Sequence, residues 1–339
     1  MTIAWVLGSS GLLGAALCRQ LRRAGSTLFF PADRLAWNNS GEFAAQLAAA
    51  VRAFADQAAA ADGWEIYWAA GIGTMASSPE ALVPETRALS LLLQLLESES
   101  RLKNVPGSVA LASTAGAIYA GATDEIITEN TAPAPTTAYA HAKLEQEALL
   151  RCFADSHDHA SVLIARISTL YGPGQSAGKK QGLMTYLARS ILRNHPVQIY
   201  VPYDTIRDYI TTDDAAAAMV AAVRDTDGDT GRDAAGDAAN NTLRETSGKP
   251  RAVTKIIASE RPATIAEIVS IFRRLARRAP RIATSANRLS AVYSRRVQFR
   301  SIVSVRQVAT PTTTLAIGIA QLMAAERVAL MHSTGAEAR

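Results

Sequence analysis

The sequence predicts an α/β protein built on a doubly wound parallel sheet, with a smaller C-terminal region attached to it. The chain opens with an apolar run of strand length, a glycine-rich turn and a helical pattern, and a second apolar run follows. Further apolar runs then alternate with helical patterns through residue 168. Strands that alternate with helices are typical of a parallel sheet whose two faces are covered by helices.

The elements of the first half follow in order from these patterns. The first strand covers Ile3 to Leu7, and the first helix extends from the glycine turn to Gly25. Further strands are predicted at 27–30, 64–71, 107–113 and 161–168, and further helices at 43–60, at 88–102 and from Pro135 onward. A proline followed by two threonines is a typical helix start. Between Asp33 and residue 64 the pattern predicts one helix and no separate third strand.

The second half is less regular and is expected to form the smaller region. Helices are predicted at 182–194, 211–225, 264–279 and from Pro311, and strands at 197–201 and 254–259. Residues 225–250 are rich in Asp, Gly and Ala, with almost no large apolar side chain, which predicts a flexible loop. We therefore divide the chain into domains at 1–166 and 167–339, and we expect the second to exchange strands with the first.

The composition is that of an ordinary globular protein in a reducing compartment. Hydrophobic residues make up 48% of the 339 residues and charged residues 19%. Two cysteines, Cys18 and Cys152, cannot form a disulfide framework. No apolar run reaches the roughly 18 residues of a membrane span, and the N-terminus lacks the basic region of a signal peptide. We therefore expect a cytoplasmic protein without membrane contact.

The net charge of +5 is concentrated in an arginine-rich segment, residues 273–306. No acid occurs between Glu267 and Glu326. Such a segment could contact nucleic acid, an acidic surface or a phosphorylated substrate, or it could be a solvated basic face. The aromatic interleaving of single-strand binders is absent, which disfavours nucleic acid as a partner. The sequence leaves the role of this segment open.

A glycine motif connects the first strand to the first helix. Gly8, Gly11 and Gly14 are spaced three residues apart at this turn. Glycines there let a pyrophosphate approach backbone N–H groups at a helix N-terminus, where the helix dipole favours anions. A bare turn between a strand and a helix is the alternative. The strand–loop–helix context favours dinucleotide binding, with Ser9 and Ser10 as candidates for phosphate contact.

The choice of dinucleotide depends on the residue at the end of the second strand. An acid there hydrogen-bonds the adenosine ribose of NAD, whereas an arginine accommodates the 2′-phosphate of NADP. Asp33 falls 25 residues after Gly8, and Arg34 follows it directly. Because both residue types are present, the sequence leaves NAD and NADP undecided.

A tyrosine and a lysine, Tyr139 and Lys143, lie four residues apart in a helical stretch. In a helix they share one face, with Cβ atoms about 5–6 Å apart. A nearby ammonium lowers the pKa of a phenol, which is ordinarily about 10 and too high for a base at neutral pH. Ser113 and Thr114 close a buried strand at the sheet edge where ligands bind in doubly wound folds. The pair could transfer a proton beside these hydroxyls, or could merely share a helix face.

Together these motifs resemble the extended short-chain dehydrogenase/reductase family, the NAD-dependent epimerases, dehydratases and reductases of nucleotide sugars. The resemblance covers the whole chain. The glycine loop, Ser113-Thr114, Tyr139-Lys143 and "EQEAL" carry it, together with "ARISTLYGPGQ", "TIRDYITTDDAA" and "TPTTTLAIGIAQLMAAER". It implies a dinucleotide-binding Rossmann domain at 1–166, a mainly substrate-binding region at 167–339, and NAD or NADP as the cofactor.

The resemblance also implies roles for individual residues. Tyr139, as phenolate, would take a proton from a sugar hydroxyl while hydride moves to the nicotinamide. Lys143 would lower the tyrosine pKa and hold the nicotinamide ribose, and Thr114, or else Ser113, would hydrogen-bond the reacting hydroxyl. The residues that would bind the cofactor are Gly8, Ser10, Gly11, Leu12, Gly14, Asp33, Arg34, Ala69, Ala70, Gly71, Tyr139 and Lys143.

Three residues of the second half are candidates for substrate contact. Arg207 corresponds to a family arginine that meets the substrate diphosphate, although a salt bridge to Asp204 or Asp208 is the alternative. Arg300 is a second candidate, or else a surface arginine. Thr169 stands where the family often has an asparagine that contacts substrate, and Ala32 stands where the acid of the second strand is usual. The sugar, the nucleotide and the reaction therefore stay open.

The expected function is an NAD(P)-dependent epimerase or dehydratase of a nucleotide-diphosphate sugar. An NADP-dependent reductase of a keto-sugar nucleotide is the alternative, favoured by the missing third strand and by Arg34. A non-catalytic dinucleotide-binding regulator is the alternative from another class. The resemblance implies a homodimer formed through helices that include the one bearing Tyr139. No metal site is expected, because His157 and His159 lack further ligands at a suitable spacing.

Overall fold

The computed structural model describes residues 1–157, 159–175, 182–228, 252–276, 281–284, 297–305 and 313–337. Its strands are β1 (Thr2–Leu7), β2 (Thr27–Phe29), β3 (Gly63–Trp68), β4 (Gly107–Thr114), β5 (Ile126–Ile127), β6 (Ala160–Ile167), β7 (Thr169–Tyr171), β8 (Val197–Ile199), β9 (Ile206–Arg207), β10 (Tyr209–Thr211), β11 (Ala252–Ile257), β12 (Ala263–Thr264), β13 (Ile282–Thr284) and β14 (Gln298–Phe299). Its helices are α1 (Leu12–Arg23), α2 (Ser40–Ala58), α3 (Pro79–Ser98), α4 (Ala115–Ile118), α5 (Ala138–Ser156), α6 (Leu183–Leu192), α7 (Thr212–Gly228), α8 (Ile265–Ala276) and α9 (Leu315–Glu337).

Six parallel strands form the central sheet, in the order β11-β6-β4-β3-β1-β2. Because every strand runs the same way, all the carboxyl ends lie at one edge of the sheet. Leu7 pairs with Trp68, and Thr114 pairs with Ile167, so the segments that follow these residues emerge side by side. The predicted α/β class with a doubly wound parallel sheet is confirmed. The edge strand β11 comes from the second half of the chain.

Helices cover both faces of this sheet with separate apolar cores. On one face α2, α3 and α5 contribute residues such as Phe54, Leu92 and Phe153. On the other face α1 and α7 contribute residues such as Leu17 and Met219. The strands read as nearly continuous apolar runs because both of their faces are buried, as parallel sheets require.

A third core lies within the second half of the chain. It joins α6, α8 and α9 to the short strand β8, and its buried residues include Leu187, Phe272 and Leu322. Arg189 on α6 pairs with Glu326 on α9 at 2.8 Å, which ties these helices at the rim of the core. The division of the chain at residue 166 stays a prediction.

Helix α9 corrects the expectation that no apolar segment reaches the length of a membrane span. It is 23 residues long, and its window Leu315–His332 is long and apolar enough to cross a membrane by length and composition. The helix extends to Glu337, because no proline interrupts it after Pro311. Of that window 22% is buried.

Several helix and strand boundaries differ from those predicted, and local sequence features explain the differences. Helix α3 begins nine residues earlier than predicted, at Pro79, because Ser78 caps it and a proline suits the first helical position. Strand β2 ends at Phe29, directly before Phe30 and Pro31, and so does not reach Asp33. Of the predicted loop at 225–250, the first four residues belong to α7 and the rest lie outside the described residues.

Candidate active site

The glycine loop after β1 has two glycines that the fold itself requires. Gly8 has φ +85°, and a Cβ on it would lie 2.7 Å from the carbonyl carbon of Ala69. A Cβ on Gly14 would lie 2.1 Å from the carbonyl oxygen of Gly8. These close approaches bring the start of α1 against the ends of β1 and β3.

Gly11 differs, because its free side faces open space. A Cβ there would contact only the Gly8 carbonyl oxygen, at 3.1 Å, and the residue is exposed. Gly11 is the N-cap of α1, and no side chain accepts a hydrogen bond from the first N–H groups of that helix. Unsatisfied donors at a helix N-terminus suit an anion such as a pyrophosphate. The loop therefore fits the phosphates of a dinucleotide, with Ser10 and Leu12 on either side of Gly11.

Gly11→Val should abolish binding of NAD(H) and NADP(H) while leaving the fold intact. The added methyl groups would project from the exposed side of the loop into the path of the pyrophosphate. Fluorescence titration with NADH and NADPH measures the effect, and thermal unfolding checks the fold. Gly41→Val is the matched control, since a Cβ there meets only the Asn39 side chain, at 3.9 Å. Undiminished binding by Gly11→Val would overturn the assignment of this loop.

Asp33 and Arg34, the residues predicted to choose between NAD and NADP, lie together in the loop after β2. Asp33 and Arg34 are exposed in the loop after β2, four and five residues past its last residue. Beside the glycine loop a groove of about 410 Å³ is lined by Ser9, Ser10, Ala15, Cys18, Arg19, Arg22 and Phe30. The guanidinium of Arg22 lies 5.9 Å over the Phe30 ring, and Arg19 pairs with Asp213 at 2.6 Å. The lining found in the described residues thus contains two guanidinium groups and no acid.

Tyr139 and Lys143 come together on the first turns of α5, as the sequence predicts. Thr137 caps the helix by accepting a hydrogen bond from the N–H of Ala140. The ammonium of Lys143 lies 5.8 Å from the centre of the Tyr139 ring. Tyr139 is partly buried and Lys143 is buried. The pair faces the loop after β3, where a Cβ on Gly73 would come within 3.2 Å of the Tyr139 ring.

A buried carboxylate from α3, Glu85, completes this cluster and was not among the predicted residues. Its Oε1 accepts from Lys143 Nζ at 2.9 Å, and its Oε2 accepts weakly from the N–H of Gly73 at 3.4 Å. Glu85 occupies a position in the apolar stripe of α3, between Leu82 and Leu89. An acid within such a stripe is the sequence signal that could have revealed it, because unpaired charges are rarely buried.

Burial and two neighbouring charges together shift the pKa of Tyr139. Burial of the phenol raises its pKa above the ordinary value; Lys143 lowers the pKa in part, and Glu85 raises it further. Although burial also raises the pKa of Glu85, the Lys143 ammonium and the hydrogen bonds to this carboxyl hold its pKa below the usual range. Lys143 thus lowers the pKa of Tyr139 in the expected direction, while burial raises it by more, so the net shift is upward.

The two predicted hydroxyls differ in their hydrogen bonds: Ser113 donates to a buried carboxylate, whereas no acceptor for the Thr114 hydroxyl is found among the described residues. Ser113 is buried and donates to Glu147 Oε1 at 2.7 Å. Glu147 Oε2 also accepts a hydrogen bond from Arg166 Nη2 at 2.6 Å, so Ser113 belongs to a buried hydrogen-bond network. Thr114 is partly exposed at the end of β4 and caps α4 by accepting from Ala117 at 3.4 Å. This arrangement favours Thr114 over Ser113 as the residue beside Tyr139.

The family of the chain follows from a match that spans most of the sheet and the site. A family model described as the NAD dependent epimerase/dehydratase family matches residues 4–234. The chain belongs to this family. The matched residues include the glycine loop, Thr114, Tyr139 and Lys143, and the chain is accordingly an NAD(P)-dependent enzyme of the epimerase/dehydratase type.

Two curated relatives in the family match over shorter stretches. A dTDP-L-rhamnose 4-epimerase of Burkholderia thailandensis is 32% identical over 94 residues, which are 27% of this chain and 26% of the relative. A dTDP-4-dehydro-6-deoxyglucose reductase of Escherichia coli is 31% identical over 112 residues, which are 33% of this chain and 35% of the relative. The chain thus matches only about a quarter to a third of the length of each.

Several solved structures have a similar fold over nearly the whole of this chain. MoeE5 in complex with UDP-glucose and NAD has a TM-score of 0.70 at 21% identity, over 97% of this chain and 100% of that chain. The UDP-glucose 4-epimerase of Thermotoga maritima with UDP-glucose has a TM-score of 0.71 at 18% identity, with the same coverage. RMD from Pseudomonas aeruginosa, complexed with NADPH, has a TM-score of 0.69 at 18% identity, again with that coverage. At these identities the likeness establishes the fold.

The candidate substrate residues of this family member lie on three short segments. Thr169 begins β7 directly beyond β6, at the edge of the sheet that carries Thr114. Arg207 ends β9 and is partly exposed, and Arg300 is exposed directly after β14. Asp208, an alternative partner for Arg207, is buried and accepts from Ser168 and Ser259, so its carboxylate has other hydrogen-bond donors.

The remaining candidate residues are the histidines in and directly after α5 and the segment that follows β3. His157 stacks on Phe153 with ring centres 4.2 Å apart, and His141 is exposed, turned away from the buried face of α5. Among the described residues, no group of three or more His, Cys, Asp or Glu side chains could hold a metal ion. Ala69, Ala70 and Gly71 follow β3 beside the glycine loop, where the N–H of Ala69 donates to the carbonyl of Leu7.

Proposed function

We propose that the enzyme oxidises or epimerises a nucleotide-diphosphate sugar, with Tyr139 as the group that takes and returns the hydroxyl proton. The observation that carries the proposal is the cluster of Tyr139, Lys143 and Glu85. It lies beside the loop that follows β3, at the sheet edge that also bears the uncapped N-terminus of α1. A proton-transfer group next to a dinucleotide loop has no evident use in a protein that only binds.

The proposed chemistry assigns a separate task to each side chain. The bound nicotinamide supplies the redox step, since it accepts a hydride from the sugar carbon and can return it. Tyr139 takes the proton from the hydroxyl on that carbon, so the alcohol becomes a carbonyl with atoms and charge in balance. Lys143 stabilises the phenolate, and Thr114 orients the reacting hydroxyl. Return of hydride and proton on the other face would give an epimer. Loss of water from the ketone, followed by return of the hydride and a proton to the resulting unsaturated ketone, would give a dehydrated product and the oxidised cofactor.

The direct test of substrate class is mass spectrometry of the small molecules that co-purify with the protein. The proposal expects NAD or NADP together with a nucleotide-diphosphate sugar. A binding assay against UDP-, dTDP- and GDP-sugars follows for material that purifies empty. Binding of a dinucleotide with no affinity for any nucleotide sugar would contradict the proposed substrate. Arg207 and Arg300 are proposed to contact the diphosphate, because guanidinium groups pair with phosphates through two hydrogen bonds.

A second candidate, an NADP-dependent reductase of a keto-sugar nucleotide, is favoured by the groove beside the glycine loop. The adenosine ribose of a dinucleotide lies between the glycine loop and the end of the second strand in this fold. Phe30 directly follows the last residue of that strand, and the Arg22 guanidinium lies 5.9 Å over its ring. Among the described residues no ion pair involves Arg22. A 2′-phosphate placed there would find this guanidinium available.

Arg22→Ala should weaken NADPH binding by about 10- to 150-fold and leave NADH binding unchanged. The lost contact is a charge-assisted hydrogen bond to phosphate, worth roughly 1.5–3 kcal/mol. Fluorescence titration of both cofactors measures the ratio of the two Kd values. Arg23→Ala is the matched control, because Arg23 is exposed on the same helix and does not line the groove. Equal losses for NADH and NADPH would refute a 2′-phosphate site at Arg22.

The assembly is proposed to be a homodimer through helices on the flank of the sheet that carries α5. Two helices of this flank, α3 and α5, pack against each other over the apolar core of that face. Sedimentation or light scattering at micromolar concentration tests the proposal. A strictly monomeric mass would contradict it.

A further inference from the structure

The hydrogen bonds of Lys143 leave one of its three N–H groups without a partner among the described residues. An ammonium has three donors. One is directed to Glu85 Oε1 at 2.9 Å and a second to Gln146 Oε1 at 3.0 Å. Because the two bonds fix the orientation of the ammonium, the direction of the third donor is fixed as well. The same ammonium lies 5.8 Å from the centre of the Tyr139 ring, so the two bonds also hold it beside the phenol.

The two acceptors are themselves held in place. Gln146 Nε2 donates to Glu85 Oε1 at 3.2 Å and to Thr86 Oγ1 at 3.4 Å, which links α5 to α3. The side chains of Glu85 and Lys143 are only 7% and 6% exposed. A buried pair of this kind is costly to form and stays in one geometry because alternatives would leave a charge without a partner.

The loop after β3 is shaped around the carboxylate of Glu85. A Cβ on Gly71 would lie 2.7 Å from Glu85 Oε1, and a Cβ on Gly73 would lie 3.4 Å from Oε2 and 3.2 Å from the Tyr139 ring. Glycine at both positions lets the backbone approach the acid and the phenol closely. Glu85 is therefore enclosed by the loop on one side and by Lys143 and Gln146 on the other.

We propose that Glu85 is a positioning residue of this active site, which aims the Lys143 ammonium at the cofactor ribose and at Tyr139 and also sets the pH at which that pair releases its proton. The inference rests on the proposed function of Tyr139 and Lys143. The charged groups that act on the phenol are Lys143 from its own helix and Glu85 from α3. A negative charge beside the pair holds its protons, so removal of that charge should let the pair release a proton at lower pH.

Glu85→Gln tests the proposal, because it removes the charge and keeps the shape. The Kd of NAD(P)H should rise by about tenfold, and turnover should fall by about 10²-fold, since a catalytic group displaced by roughly 1 Å loses this much. The acidic limb of the kcat profile should move to lower pH. Glu80→Gln, an exposed acid on the same helix, is the matched control and should behave as the wild type.

Glu85→Asp separates the two roles of the carboxylate. It keeps the charge but shortens the reach, so its acidic limb should stay at the wild-type pH while its Kd rises. If thermal unfolding shows that Glu85→Gln does not fold, Glu85→Asp becomes the test variant. A wild-type Kd of NAD(P)H in Glu85→Asp would then overturn the proposal. Wild-type Kd and pH profile in a folded Glu85→Gln protein would overturn it as well, leaving Glu85 a packing residue.

Different results would refute the proposed function of Tyr139 and the proposed role of Glu85. Wild-type turnover by Tyr139→Phe would refute the proposed function. An inactive Tyr139→Phe protein beside a fully normal Glu85→Gln protein would refute only the role of Glu85. The cofactor Kd needs no substrate and no turnover, so this part of the test stands by itself.

Discussion

Tyr139→Phe should lower turnover by about 10²–10⁴-fold and leave the Kd of the cofactor almost unchanged. The change removes one hydroxyl and keeps the ring, which lies against Gly73 and Lys143. A positioned acid or base contributes this factor in rate. Steady-state kinetics on the identified nucleotide sugar, together with fluorescence titration of NAD(P)H, measures both quantities.

Tyr67→Phe is the matched control for the loss of a tyrosine hydroxyl. Tyr67 is fully buried in β3 and donates to Glu65 at 2.9 Å. Loss of such a hydrogen bond to a buried carboxylate should cost roughly 1.5–3 kcal/mol of the free energy of unfolding and leave turnover intact. If Tyr139→Phe resembled this control, with lower stability and normal redox chemistry, Tyr139 would be a structural residue.

Lys143→Ala should differ in kind, because it should damage stability, cofactor binding and turnover together. Removal of the ammonium leaves the buried carboxylate of Glu85 without its cation. Breaking a buried ion pair from one side costs roughly 3–5 kcal/mol of the free energy of unfolding. The same variant loses the group proposed to hold the nicotinamide ribose, so the Kd of NAD(P)H should rise and turnover should fall at least as far as in Tyr139→Phe.

The stability loss in Lys143→Ala should depend on pH in a defined direction. In the wild type the pKa of Glu85 lies below its usual range, so its pairing stabilises the fold at neutral pH, and this contribution is lost as pH falls through the folded pKa. In Lys143→Ala the ammonium is missing, so burial alone acts on Glu85 and raises the pKa of its carboxyl. The deficit relative to wild type should therefore narrow on acidification, which denaturant unfolding at several pH values would measure.

The double variant Lys143→Ala, Glu85→Gln separates stability from catalysis. It leaves no buried charge in the cluster, so much of the lost stability should return. Turnover should not return, because the ammonium is still missing. Recovery of turnover along with stability would mean that Lys143 acts only by supporting the fold.

The fold and the pairing of Tyr139 with Lys143 could be predicted because each depends on a local sequence pattern. The glycine loop, the alternation of apolar runs with helical patterns, and the four-residue spacing of Tyr139 and Lys143 are all readable without tertiary contacts. The family match confirms the class of enzyme that these patterns indicated. The absence of a separate strand between β2 and β3 also agrees with the observed strand order.

What could not be predicted depends on contacts between distant parts of the chain. Glu85 meets Lys143 across 58 residues of sequence, and Ser113 meets Glu147 across 34. The raised pKa of Tyr139 comes from burial, which the spacing to Lys143 does not report. Asp33 looked suitable by its distance from Gly8, but the strand ends at Phe29 and leaves the acid in an exposed loop.

The cluster of Tyr139, Lys143 and Glu85 distinguishes an enzyme from a non-catalytic dinucleotide-binding regulator. A dinucleotide sensor needs the glycine loop, yet it has no need of a phenol and an ammonium with a buried carboxylate beside them. The arginine-rich segment, whose role the sequence leaves open, lies partly outside the described residues, while Arg273, Arg274, Arg281 and Arg300 are exposed. These exposed cations also suit an acidic or phosphorylated ligand.

The most direct test of the account is a single turnover followed by the absorbance of reduced nicotinamide. Wild-type protein and Tyr139→Phe are each loaded with NAD⁺ or NADP⁺ and mixed with the nucleotide sugar found by mass spectrometry. The account predicts a transient or lasting rise in reduced nicotinamide with the wild type, and a rise slowed by about 10²–10⁴-fold with Tyr139→Phe. An equal rise in both proteins, or none in a wild-type protein that has bound both ligands, would contradict it.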